Sequence, residues 1–149
     1  MEIEYSAKKI LDCQQLYLIV PCSIYGTIKP PKVSDNYTTA KNLLLEKMSK
    51  NELKLGQTII IPDSGTVKKN YVYLCNLITL QYSHQLCSDL KIFEKCLYNM
   101  TLIPEKLGYA IGVLALHEWI QPQLIQLAMD LLQKYLGIKM KKIVFYESN

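Results

Sequence analysis

The sequence predicts a single α/β domain, residues 1–149, whose central sheet is covered by helices on both faces. Three observations predict it. Several runs are apolar throughout and of strand length, as in strands buried on both sides. They alternate with segments whose apolar residues recur at intervals of three and four, the pattern of a helix with one buried face. No linker, repeat or low-complexity tract divides the 149 residues, a length that suits one domain with a real core.

The elements follow in order. Residues 3–6 form a short edge strand. Leu16-Tyr17-Leu18-Ile19-Val20 is an apolar run of β-formers that Pro21 stops. Residues 23–37 read as a loop, since it carries Gly26 and Pro30-Pro31, through which no helix should run. Residues 34–36 supply helix-start chemistry. A helix over 39–50 then places Ala40, Leu43, Leu44 and Met48 on one face, with Gly56 beyond its end. Thr58-Ile59-Ile60-Ile61 is a second buried strand, and Pro62-Asp63-Ser64-Gly65 a turn. Residues 71–78 make the next strand. Leu86, Leu90, Phe93 and Leu97 mark a helix that Pro104 and Gly108 close. Residues 110–116 are an apolar strand. Leu124, Leu127, Leu131 and Tyr135 line a further helix that Gly137 stops, and residues 142–146 are the final strand.

Composition narrows the function classes. Half the residues are apolar and the formal charge is +4, a mildly basic globular balance. All 17 basic residues are lysine, so the planar fork that grips phosphates and guanine edges is missing. Nucleic acid is therefore disfavoured as a partner. No apolar run approaches the ~20 residues of a membrane span, so no membrane contact is expected. The five cysteines are odd in number and form no C-x-x-C, and the start Met1-Glu2-Ile3-Glu4 does not read as a secretion signal. Reduced thiols and an intracellular setting, cytoplasmic or nuclear, are the expectation. Two glycosylation sequons, at Asn36 and Asn99, are then chance matches.

The run Tyr71-Val72-Tyr73-Leu74 through Leu77-Ile78-Thr79, then Ser83-His84, the helix that follows and the stretch 123–146 resemble a macrodomain, the fold that binds ADP-ribose. The similarity spans nearly the whole chain and is greatest to the short macrodomains that remove terminal ADP-ribose from modified acidic side chains. It implies a three-layer α/β/α sandwich with a central mixed sheet. It also implies where a ligand would sit, and there the sequence departs from the pattern. Lys8-Lys9-Ile10-Leu11 stands where the resemblance implies a Gly-Asp pair that accepts from adenine. Residues 24–31, with Gly26 alone of its glycines and with Pro30-Pro31, replace a glycine-rich phosphate loop. Leu114-Ala115-Leu116-His117-Glu118-Trp119 replaces a second such loop. Leu80 and Gln81 stand where the implied catalytic Lys belongs, and Glu118 is the nearest acid to the implied catalytic Asp.

These departures predict a non-catalytic macrodomain-like module that works through protein contacts in a nuclear or regulatory complex. A protein is the expected partner, and ADP-ribose is disfavoured. Contact residues are expected at the former cleft: Tyr25, Gly26, Ile28, His117, Glu118, Trp119 and Ile120. No catalytic residue, cofactor or metal is assigned. The alternative is a divergent ADP-ribose-binding or hydrolysing domain with a pocket between residues 23–32 and 116–121.

Smaller constellations each have a plainer reading beside the chemical one. His117 and Glu118 can do acid–base work, or they are solvated neighbours of a packing Trp119. His84 and Cys87 can form an activated thiol, but no third group orients them. His84, Cys87 and Cys96 lack the spacing of a structural zinc site. Lys68 and Lys69, with Lys139, Lys141 and Lys142, read as solvated turns. Eleven tyrosines suit half-buried sheet positions or an interface. Trp119-Ile120 before Pro122 is either a recognition patch or a plug in the vacated cleft.

Overall fold

The computed structural model describes residues 1–67, 70–102 and 108–149. Lys68, Lys69 and Pro104 lie outside the described residues. The elements are β1 (Glu2–Lys9), β2 (Tyr17–Ser23), α1 (Pro31–Asn36), α2 (Thr38–Ser49), β3 (Thr58–Asp63), β4 (Val72–Leu80), α3 (Leu90–Thr101), β5 (Ala110–Leu114), α4 (Ile125–Leu136) and β6 (Lys142–Glu147). The strands order as β1-β6-β5-β2-β4-β3. β3 runs antiparallel to β4, and the other pairs are parallel. Right-handed crossovers send α1 and α2 to one face and α3 and α4 to the other, because β2 leads to β4 in one direction and β4 leads to β5 in the opposite one. The expected three-layer sandwich with a mixed sheet is thus the observed fold.

β2 is buried along its whole length and runs through Pro21, where the sequence predicted a stop. Within a strand, the N–H and C=O of one residue face the same edge. The Pro21 carbonyl accepts from the Lys29 N–H, on the edge away from β4, so the missing proline donor costs the β4 ladder nothing. The loop reading of 23–37 also needs correcting. A short helix begins at Pro31, with extended Pro30 before it, and a proline in the first turn lacks only a donor that has no helical partner anyway.

α2 takes its cap from far along the chain. Residues 34–36 were expected to start it, yet the buried Asp63 carboxylate accepts from the Ala40 N–H at 2.9 Å. Its other oxygen accepts from the Gly65 N–H at 3.1 Å, so one side chain ends β3, fixes the turn and starts α2. Leu43 of the expected apolar face is partly exposed, while Ala40 and Leu44 are buried. Replacing Asp63 by alanine is expected to lower stability by about 1–2 kcal/mol, the cost of a lost N-cap. Urea denaturation would show this as a lower midpoint with an unchanged slope.

α3 starts at its Asp89 cap, later than the Leu86 that the periodicity suggested, and buries Phe93, Cys96, Leu97 and Met100. Between β1 and β2 the chain crosses the sheet face and brings Cys13 against β5. A side-chain carbon at Gly112 would lie 2.8 Å from the Cys13 sulfur, so β5 needs glycine there.

Candidate functional site

The carboxyl ends of β1, β2, β4, β5 and β6 share one edge of the sheet. Strand order reverses between β2 and β5, and crevices at such points are where open α/β sheets hold ligands. β2 and β5 pair only at Leu18 and Ile19, then part. The gap is filled by the chain itself. After Ser23 the backbone turns at Gly26, whose φ of 79° suits glycine. Residues 27–29 then return along the free edge of β2. Ser23 N–H donates to Thr27 O, Ile28 bridges Cys22, and Lys29 N–H donates to Pro21 O. Ile28 is fully buried at that point.

The loop after β5 is anchored from below. Trp119 is fully buried, its indole N–H donates to Leu114 O at 2.9 Å, and its ring meets Phe93 of α3 edge-on at 5.5 Å. The Cys87 N–H donates to Trp119 O and the Gln121 N–H to Cys87 O, which ties this loop to the one after β4. Trp119 therefore neither plugs the crevice nor forms a surface patch; Ile28 fills the gap, and Trp119 is core beneath α3. Of the seven expected contact residues, Tyr25 and His117 are exposed, Glu118 is half-buried, and Gly26, Ile28, Trp119 and Ile120 are interior. Interior side chains offer no surface to a partner.

Polar groups collect beside the filled gap. Lys29 is half-buried; burial lowers its pKa and the charge of Glu118 raises it, and no salt bridge holds it among the described residues. Glu118 accepts from the Ser148 N–H at 2.8 Å. His117 lies 3.2 Å from the Glu147 carboxylate. The ligand atoms of His117, Glu118 and Glu147 lie within 4.8 Å of one another, a set of metal-binding types at an exposed position. On the other side of β2, Tyr25 stacks on Tyr82 and Tyr82 on His84, each pair at 5.7 Å and 16°. Sequence reasoning had singled out neither Lys29, Glu147 nor Tyr82. Lys29 was legible as the sole basic residue between the end of β2 and Pro30; the other two come from distant parts of the chain, Glu147 from the end of β6 and Tyr82 from the loop after β4.

The thiols offer no nucleophile. Burial pushes Cys13 up to about 11, Cys22 and Cys96 to about 12, and raises Cys75 and Cys87 as well. All stay protonated near neutral pH, so His84 does not face an activated Cys87. Ile28 fills the gap between residues 23–32 and 116–121, where a pocket was expected, and cavities open beside it. One of about 450 Å³ lies at the end of β4, and one of about 200 Å³ lies between Tyr5, Leu116, His117 and α4.

No protein-family model matches the sequence, and no curated protein matches it. Solved structures do. The macrodomain of Thermus aquaticus DarG aligns with a TM-score of 0.74 at 12% identity, over 97% of each chain. Thermosipho africanus DarTG, solved in complex with ADP-ribose, aligns at 0.72 and 14% identity, over 98% of this chain and 42% of that one. A Trypanosoma brucei macrodomain solved with ADP aligns at 0.67 and 13% identity, over 99% of this chain and 64% of that one. The expectation that this scaffold disfavours ADP-ribose is thereby corrected, since proteins of the same architecture hold that ligand or ADP. Strand order, crossovers and these alignments agree that the chain has the macrodomain fold.

Proposed function

We propose that this chain is a non-catalytic module that binds an adenosine-diphosphate ligand of the ADP-ribose kind at the carboxyl edge of its sheet. Lys29 carries the reading. A partly desolvated ammonium without a salt bridge, at the strand-order reversal, is stabilised by an incoming anion. The complexes of like-folded proteins with ADP-ribose and ADP supply the ligand class.

The non-catalytic part rests on what faces that edge. Leu80 and Gln81 stand where the resemblance implies a catalytic lysine, Glu118 is held by the Ser148 N–H, and the thiols are protonated. Protein contact is the finer reading of the partner. Its support is the exposed stack of Tyr25, Tyr82 and His84 on the same edge, since aromatic rings are enriched at interfaces. The buried thiols fit an intracellular setting.

Calorimetry tests both parts. ADP-ribose is expected to bind the native chain, and Lys29→Gln to weaken binding about tenfold, the worth of one charge-assisted hydrogen bond. An ADP-ribosylated peptide is expected to bind more tightly than free ADP-ribose and to remain uncleaved. Absence of heat with ADP-ribose sinks the ligand assignment, and turnover of the peptide sinks the non-catalytic one. The pH dependence has a definite sign. The pKa of Lys29 lies below that of a free lysine, so affinity should fall on the alkaline side earlier than for an exposed lysine. By the same linkage the unliganded fold gains stability as pH rises through that lowered pKa.

A further inference from the structure

β1 forms one border of the sheet, and no strand pairs with its outer edge among the described residues. Apart from Ile3 and Ser6, its side chains are exposed. Glu2 N–H donates to Lys141 O, so Glu2 and Glu4 turn their backbone groups to β6, while Ile3 and Tyr5 present theirs to the open side. An open edge of this kind is a template for another strand. β3, at the opposite border, carries Pro62, which blunts it. We propose that a second copy of this chain pairs antiparallel with β1 across a twofold axis, joining two sheets into one.

The order of charges along the strand selects this partner. Glu2 and Glu4 stand in its first half, and Lys8 and Lys9 end it. An antiparallel copy lays the acidic half of each strand beside the basic end of the other, twice over by symmetry. A parallel copy sets acid on acid and base on base. Lys142 lies 3.9 Å from Glu2 and 2.8 Å from Glu4, so two carboxylates share one ammonium and that half keeps a net negative charge. Lys8 and Lys9 are exposed and have no salt bridge among the described residues.

The register follows from the same strand. Tyr5 stacks on Phe145, its neighbour on β6, at 5.4 Å and 22°, and is 72% exposed on its outer side. With the axis at Tyr5, each Tyr5 N–H donates to the other copy's Tyr5 carbonyl, and the two stacks join into one row of rings. Glu2 then stands opposite the second copy's Lys8. Moving the axis to Glu4 sets that carboxylate against its own copy, and moving it to Ser6 separates the rings. Against β6 the register shifts between Tyr5 and Lys9, and Ser6 Oγ accepts from the Lys8 N–H. The new ladder is therefore short and centred on Tyr5, with charges acting at its ends. One strand per copy buries less than the ~1,200 Å² of a standard interface, so the dimer is weak and forms at high chain concentration. β6 and β5 stand between this edge and the gap beside Lys29, so the pairing does not depend on the ligand reading above.

Sedimentation velocity on the full chain, from the micromolar into the millimolar range, is expected to show a monomer–dimer equilibrium that added salt weakens. NMR of the isotope-labelled chain should show concentration-dependent shifts in the amides of residues 2–9. Two charge-reversed chains, E2K/E4K and K8E/K9E, supply the decisive comparison. Each alone should self-associate at least about tenfold more weakly than the native chain, because like charges then face each other along the strand. Mixed in equal amounts they should form a heterodimer, since the charged residues of one strand are then all basic and those of the other all acidic. Thermal midpoints show that the variants stay folded. Tyr5→Ala breaks no salt bridge and should weaken the dimer several-fold, which keeps the test decisive if E2K/E4K, set beside Lys142, unfolds. The proposal is overturned if the native chain sediments as a monomer throughout, if a dimer forms without moving the amides of residues 2–9, or if the folded variants associate as the native chain does.

Discussion

Trp119→Ala is expected to lower the unfolding free energy by about 3–5 kcal/mol, the usual cost of truncating a large buried aromatic. The ring is fully buried, meets Phe93 edge-on, and its N–H holds Leu114 O. Removal leaves a cavity beneath α3 and an unpaired buried carbonyl at the end of β5. Trp119→Phe separates the two losses. It keeps most of the ring volume and forfeits only the hydrogen bond, so about 1–3 kcal/mol should go. Urea denaturation of the three proteins reads this order directly. Equal midpoints for native chain and alanine variant would contradict the burial described here.

Ile28→Ala should cost about 2–5 kcal/mol, and Ile28→Val about 0.5–1.5 kcal/mol. The side chain sits where β2 and β5 separate, so its loss leaves a void in a place that strand pairing cannot close. The spread depends on how far residues 27–29 can settle into the gap. The comparison with Lys29→Gln is diagnostic. That neighbour is half-buried and unbridged, and its replacement should leave the midpoint within about 0.5 kcal/mol. A large loss from Lys29→Gln would instead make the ammonium part of the scaffold.

Periodicity made α3, α4, β4 and β6 legible, because each buries one face or both against the same sheet. The misreadings have non-local causes. Pro21 sits inside β2 because its free edge is taken by Lys29 rather than by β5. α2 is capped by Asp63, at the far end of the next strand. Gly112 has no local reason to be glycine; Cys13, crossing the sheet from β1, supplies it. At the site, the two loops were identifiable from where the strands end. Which of their side chains turn inward was not, since that depends on a hairpin back onto β2 and on a tie between Cys87 and Trp119. The expectation about ADP-ribose failed for a related reason. It rested on residues missing from the loops, whereas the same architecture holds ADP-ribose or ADP in proteins only 13–14% identical to this chain.

The strand order also bears on synthesis at the ribosome. β1 pairs with β6, residues 2–5 against 142–145, and β6 separates β1 from β5. β1, made well before its partner, therefore waits, unpaired, for residues 142–147, and the outer edge of β5 waits with it. Contacts so distant along the chain close slowly. During that interval an apolar sheet face and two open edges are exposed, the state in which a nascent chain depends most on a chaperone.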